Sequence, residues 1–278
     1  MKTCLVLEGG GLRGIYTAGV LDSLQKENIK IDAIIGVSMG ALIGINYKSN
    51  QPGRALRYNL KYCNDKNYLG LYSLFKTGNV ANKEFAYYKL PNELDPFDYD
   101  TYKKSRIKFI CVVTDVATGN AKYIEIKDAK NSIEYLRASS SMPGVSKIVK
   151  IKNKKYLDGG IADPIPIKKA IELGYDKIIV VLTRPKEYLK KEKGFNPLTL
   201  IYHKYKKFNK TIKERGKKYN QILKEIDNNK NIFVIRPSKK IKIKRIEKNP
   251  LIIKEQYDLG NNDFQNIKLE LKKYLKDE

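Results

Sequence analysis

Ser38 stands in Gly36-Val37-Ser38-Met39-Gly40, after the stretch Ile31-Asp32-Ala33-Ile34-Ile35 and before the helical pattern Met39 to Tyr47. A G-x-S-x-G pentapeptide on a strand-to-helix turn is the setting of a nucleophile elbow, where the sharp turn exposes the serine and the glycines avoid a clash. The chemistry open to such a serine is attack on an acyl group, provided a neighbour accepts its proton. A second glycine-rich stretch, Gly9-Gly10-Gly11-Leu12-Arg13-Gly14, follows the apolar run Thr3 to Leu7. Both loops are expected at the carboxyl ends of strands in one sheet, where open α/β folds build their sites. The N–H groups of Gly9, Gly10 and Gly11, with that of Met39, can then converge on one developing oxyanion. Each donor of this kind supplies roughly 3 kcal/mol in the transition state. Arg13 steadies the loop or adds positive potential.

Two residues compete to be the base. His203, the single histidine, follows Ser38 in chain order as an α/β-hydrolase triad requires, but its lysine-rich surroundings make it read better as a surface residue. Asp158 lies in Leu157-Asp158-Gly159-Gly160, whose glycines permit a tight turn and close approach. A carboxylate with an ordinary pKa near 4 is a weak base, so the site must raise its proton affinity by burial and lean on the oxyanion hole. The glycine loop has a rival use. Gly9, Gly11 and Gly14 fit the G-x-G-x-x-G spacing of a dinucleotide loop, which expects an acidic residue at the far end of the second strand. Asp32 has about the right spacing but precedes the apolar part of its strand, which puts it at the wrong end.

The elements that must position these residues alternate through residue 185. Apolar strands are expected at Thr3 to Leu7, Ile31 to Gly36, Arg106 to Asp115, Ala121 to Ile126 and Asp176 to Thr183, and Ala18, Leu21 and Leu24 share one helical face. Strands separated by helices predict an α/β fold with a mostly parallel sheet, and the turn residues Val116 to Lys122 predict a hairpin that makes the sheet mixed. Residues 67–80, rich in tyrosine and leucine, suit plain core better than a lid. After residue 185 the pattern becomes lysine-rich and helical, with a further strand at Asn231 to Pro237 and a final helix carrying Ile267, Leu271 and Leu275. Residues 185–197 are the expected mobile connection.

The chain has 278 residues and a net charge of +25, with 26 Lys+Arg against 12 Asp+Glu in residues 186–278. Such a charge favours polyanions and the face of an anionic membrane, although the abundance of lysine, isoleucine, asparagine and tyrosine also fits a compositional bias. No stretch approaches the ~18 apolar residues of a membrane span or the core of a signal peptide, which points to a cytoplasmic location. Cys4, Cys63 and Cys111 lack metal-ligand spacing and read as buried structural thiols.

Taken in order, the three motifs resemble those of the patatin-like phospholipase family: a G-G-G-x-[RK]-G loop at Gly9 to Gly14, G-x-S-x-G at Gly36 to Gly40, and D-G-[GA] at Asp158, Gly159 and Gly160. The resemblance implies a three-layer α/β fold with helices on both faces of the sheet and a Ser-Asp dyad. Ser38 would form an acyl-enzyme, and Asp158 would activate first the serine and then water. Gly14, Gly36, Gly40, Gly159 and Gly160 support the motifs, and no metal or cofactor is implied. The stretch Ala138 to Lys147 resembles the serine- and proline-containing segment that precedes the aspartate loop, taken as structural. The motifs imply an acyl hydrolase domain at 1–185, and the change of pattern beyond it predicts a lysine-rich, mainly helical extension at 186–278 packed on that domain. The implied partner is a lipid ester; the basic stretches at 203–218 and 239–248 add an expected transient contact with an anionic membrane surface, in preference to nucleic acid. Two rivals stand beside this reading: a nucleotide-binding protein using the Gly9 to Gly14 loop, and a basic membrane- or nucleic-acid-binding protein with an inactive site.

Overall fold

The first strand, β1 (Thr3–Leu7), is buried on both faces: Leu5 and Leu7 enter one core, Cys4 and Val6 the other. A strand buried at every position belongs in the middle of a helix-covered sheet. The computed structural model of the protein, which describes residues 1–192, 196–240 and 242–276, places it there. Along the chain follow α1 (Ile15–Lys26), β2 (Ala33–Val37), α2 (Met39–Lys48), α3 (Arg54–Tyr62), α4 (Leu71–Thr77), α5 (Tyr99–Lys104), β3 (Lys108–Asp115), β4 (Ala121–Glu125) and α6 (Ile133–Ser139). Then come β5 (Val149–Ile151), β6 (Lys154–Asp158), α7 (Ile167–Glu172), β7 (Lys177–Val181), α8 (Leu198–Ile201), α9 (Lys206–Asp227), β8 (Ile232–Ile235) and α10 (Pro250–Lys276). A π-helical segment, Glu84–Leu94, lies between α4 and α5.

The strands stand in the order β5-β6-β3-β2-β1-β7-β8, with β4 also paired to β3. From β3 to β8 the neighbours are parallel, whereas β4, β5 and β6 pair antiparallel. The sheet is therefore mixed and mostly parallel, in an α/β sandwich of three layers. One face packs against α1, α2 and α10 through Leu5, Leu7 and Ile34, and the other against α7 and α9 through Val6, Ile35 and Val180. All three cysteines are free and buried, and burial pushes the Cys4 thiol well up.

Residues 186–278 are built into this sandwich. β8 extends the sheet beside β7, with Ile178 opposite Ile232. α10 lies on α1 so closely that a Cβ on Gly19 would fall 2.1 Å from the Tyr257 carbonyl oxygen, and one on Gly260 2.2 Å from that of Tyr16. Glycine on both helices allows that backbone approach, which no side chain would survive.

The expected strands agree with those observed to within two residues at each end. The short strands β5 and β6 add to the expected set: β5 alternates over three residues only, and β6 opens on two lysines and shows no alternation, so neither carries enough pattern to signal a strand. Residues 67–80 differ from plain core: Tyr68 and Val80 are buried, but Leu71 and Phe75 are 68% and 86% exposed. An apolar count cannot tell a side chain facing in from one facing out when the helix is this short. Of the expected connection at 185–197, residues 193–195 lie outside the described residues.

Candidate active site

Ser38 is the hinge between β2 and α2, and its backbone φ is +54°. A non-glycine residue in that region is strained, and such strain persists only where the surroundings enforce it. Here they do. The Ser38 N–H donates to Ser139 Oγ (2.8 Å), and that hydroxyl donates onward to the Val112 carbonyl (2.6 Å). Ser139 lies in the serine run whose role the sequence left as merely structural; it ties the elbow to β3. The run itself was the visible signal.

Asp158 ends β6, where the register places it opposite Val113 of β3. Its backbone N–H donates to the Ser141 carbonyl (2.9 Å), and its own carbonyl accepts from Thr114 Oγ1 (2.8 Å). The carboxylate is thereby held against the elbow: Ser38 Oγ donates to Asp158 Oδ2 at 2.8 Å, and the Gly160 N–H donates to Oδ1 at 2.8 Å. Both side chains are buried, at 6% exposure. Burial raises the Asp158 pKa above the ordinary carboxylate range, opposed by the positive charge of Arg215 and by the hydrogen bonds from Ser38 and Gly160. Arg215 of α9 donates to the Gly160 carbonyl at 2.6 Å. A lone arginine in a lysine-rich helix carried no such signal in the sequence.

The glycine loop follows β1 directly. Gly9 lies against the elbow, since a Cβ there would meet Ser38 Cβ at 2.8 Å and the Val37 carbonyl oxygen at 2.9 Å. Among the described residues the Gly9 and Gly10 amides have no acceptor, and the Met39 N–H, at the first position of α2, has none within its helix. Gly11 begins a short 3-10 turn that ends at Gly14, and Leu12 anchors the turn through its N–H to the Arg245 carbonyl (3.0 Å). Buried Glu8 secures the root of the loop by accepting from the Thr183 N–H (2.6 Å) and Oγ1 (3.0 Å) and from Tyr219 (2.8 Å). The sequence did not mark Glu8 for this.

Two cavities of similar size, about 120 and 100 Å3, meet at Ser38, which lines both. The first is walled by apolar residues such as Leu42, Ile45, Leu90 and Leu136 and includes part of the π-helical segment. The second holds Asp158 and the Gly9 to Gly11 loop. His203 lines neither: it is exposed, with Nδ1 paired to the Leu200 carbonyl at 3.1 Å. Asp32 sits at the opposite edge of the sheet from the loop, accepting from the Thr3 N–H at 2.8 Å at the start of β1. A ribose-binding role for Asp32 has no place there.

A strained serine on a strand-to-helix turn, paired to a buried carboxylate beside free amides, has the groups needed to attack an acyl carbonyl. Comparison with known proteins places the chain in a family. The sequence-family model described as "Patatin-like phospholipase" matches residues 5–171, and the chain belongs to that family. A domain of unknown function, DUF6363, matches residues 205–276. The uncharacterized protein YjjU of Escherichia coli K12 is 29% identical over 67% of this chain and 53% of its own length. "Lysophospholipase nte1" of Aspergillus niger is 28% identical over 64% of this chain and 11% of its own. The chain thus spans about half of the one relative and about a tenth of the other. Among solved structures, VipD of Legionella pneumophila aligns with a TM-score of 0.48 and 12% identity over 96% of this chain and 66% of VipD. Among the described residues no helix is long and apolar enough to cross a membrane.

Proposed function

We propose that the protein hydrolyses carboxylic esters of lipids through a Ser38–Asp158 dyad and an acyl-enzyme. The observation that carries this reading is the 2.8 Å hydrogen bond from Ser38 Oγ to buried Asp158, on a serine that also lines an apolar cavity. Family membership supports lipid ester chemistry, and fungal relatives named lysophospholipases support a lipid with an accessible acyl ester.

In the proposed reaction Asp158 accepts the Ser38 proton as Oγ attacks the ester carbonyl. The amides of Gly9, Gly10, Gly11 and Met39 stabilise the oxyanion, and Arg13 adds positive charge nearby. Asp158 returns the proton to the departing alcohol, then takes one from a water that attacks the acyl-enzyme; Ser38 recovers it as the acid leaves. Residues 1–185 form the acyl hydrolase domain in this reading, and 186–278 the extension built onto it. The lysines of the extension favour meeting the substrate at an anionic bilayer, a contact that salt weakens.

A serine-directed fluorophosphonate is expected to label Ser38, and His203→Ala is expected to keep both the label and ester hydrolysis within a few-fold of the parent. Peptide mapping of the adduct and a chromogenic ester assay decide it. An unlabelled Ser38, or a His203→Ala loss as deep as that of Ser38→Ala in a folded protein, overturns the dyad.

The pH profile supplies a second check. Only ionised Asp158 can accept the proton, and burial has raised its pKa, so kcat/KM should climb with pH along an acid limb displaced above the ordinary value near 4. A limb at or below that value contradicts Asp158 as the base.

A further inference from the structure

The second cavity at Ser38 collects five cations: Arg13, Arg184, Lys190, Arg215 and Arg245. The acids lining it are Glu8 and Asp158, and both are already engaged, Glu8 by Thr183 and Tyr219, Asp158 by Ser38 and Gly160. None of the five cations forms an ion pair among the described residues. They repel one another, and the charges of Glu8 and Asp158 offset that repulsion only in part. Burial, with repulsion from Arg184 and Arg245, pushes the Arg13 guanidinium down to about 10. Burial, with repulsion from Arg215, Arg245 and Arg13, pushes the Lys190 ammonium down to about 7. Arg13 Nε is buried with no hydrogen-bond partner.

The lysine-rich composition does not account for this cluster. Only nine of the 55 cationic side chains are arginine, and four of those nine line this cavity. Arg54, Arg57, Arg137 and Arg236 each have a carboxylate partner elsewhere. Arginine is the side chain whose planar fork matches phosphate oxygens, and five like charges facing two carboxylates that are already hydrogen-bonded favour any anion that enters.

The other cavity at the same serine is mainly apolar, although Arg54, paired to Asp95, lines it and Arg245 lies on the boundary shared by both, so Ser38 stands between a greasy lobe and a cationic one. We propose that the cationic cavity is a head-group subsite for a phosphate-bearing lipid of net negative charge, with the acyl chain in the apolar cavity. The assignment rests on the ester-hydrolase reading of Ser38. A phosphomonoester satisfies the subsite, whereas a phosphocholine brings a quaternary ammonium into the same positive field and is disfavoured. Lys190, Arg215 and Arg245 belong to residues 186–278, which gives the C-terminal third a part in choosing the substrate.

The test has a binding arm and a turnover arm, both with the full chain. Calorimetry with sn-glycerol 3-phosphate, sn-glycero-3-phosphocholine and inorganic phosphate measures the subsite without chemistry. Glycerol 3-phosphate is expected to bind at least about tenfold more tightly than glycerophosphocholine, and the double variant Arg184→Gln/Lys190→Gln to weaken it by about tenfold or more. The charge-conserving variant Arg184→Lys/Lys190→Arg should retain binding, which separates lost charge from lost fold. In the turnover arm, two monoacyl lipids with one acyl chain and either a phosphate or a phosphocholine head are compared. The parent should favour the phosphate lipid in kcat/KM, and the Gln double variant should lose that preference. Equal binding of the two glycerol esters, or binding untouched by the Gln variant, overturns the subsite. Inorganic phosphate binding with turnover indifferent to the head group assigns the cavity to free anion and overturns the lipid head-group assignment. Glycerol 3-phosphate binding in a parent that hydrolyses no ester sinks the hydrolase reading and leaves the anion site standing.

Discussion

Ser38→Ala and Asp158→Asn are each expected to fold and to lose at least about 10^4-fold in kcat on a carboxylic ester, the scale set by removing a nucleophile or its proton acceptor. The serine change deletes the attacking oxygen while leaving the elbow's anchor, the Ser38 N–H to Ser139 Oγ, in place. The aspartate change is nearly isosteric. The amide oxygen of an asparagine can still accept from the Gly160 N–H, but nothing remains to take the serine proton. What survives is the modest acceleration that an oxyanion hole and binding supply without a nucleophile. The stability of the second variant moves the opposite way from its activity. The folded-state pKa of Asp158 is raised, so ionising it costs stability as pH climbs from the unfolded value through the folded one. Asparagine removes that cost, and Asp158→Asn should melt no lower than the parent at neutral pH. Steady-state kinetics beside thermal unfolding test both halves. A folded variant that keeps more than about a hundredth of parental kcat names the wrong residue.

Gly9→Ala should cost about 10^2- to 10^3-fold in kcat, the loss seen when one oxyanion donor is removed. The added methyl would sit 2.8 Å from Ser38 Cβ and 2.9 Å from the Val37 carbonyl oxygen, contacts that real Cβ atoms essentially never make. Backbone must yield on one side or the other. Either the loop lifts its amides away from the serine or the elbow turns its hydroxyl away from Asp158. Both leave the sandwich intact, because the root of the loop is held separately by Glu8 on Thr183 and Tyr219. A variant with unchanged thermal stability and parental kcat would show that the Gly9 loop does not face the reacting carbonyl. Binding of a neutral ester should change far less than kcat, since the effect falls on the transition state.

The sequence by itself determined a good deal. The three glycine-flanked motifs were legible because glycines such as Gly9, Gly36, Gly40 and Gly159 sit where a close backbone approach excludes other residues, a local constraint written in residue type. The α/β alternation and the β3–β4 hairpin were legible because uninterrupted apolar runs and turn residues carry their own periodicity. His203 was separable from the site on its charged surroundings alone, and it lines neither cavity at Ser38. What local pattern cannot express is adjacency between residues far apart in the chain. Ser38 and Asp158 are 120 positions apart, and only the register of β6 against β3, itself unmarked by any apolar alternation, brings the carboxylate to the elbow. Glu8 and Arg215 escaped notice for the same reason, and Ser139 was visible only as part of a serine run: a buried serine, glutamate or arginine differs from a solvated one by its partners, which tertiary structure chooses. The cationic cavity is the clearest case. Its five charges come from the turn before α1 (Arg13), the connection after β7 (Arg184 and Lys190), α9 (Arg215) and the loop before α10 (Arg245), and in a chain of net charge +25 only Arg13 stood out in the sequence. Only folding gathers them beside one serine, because charge density in space depends on distance through the protein and not on separation along the chain.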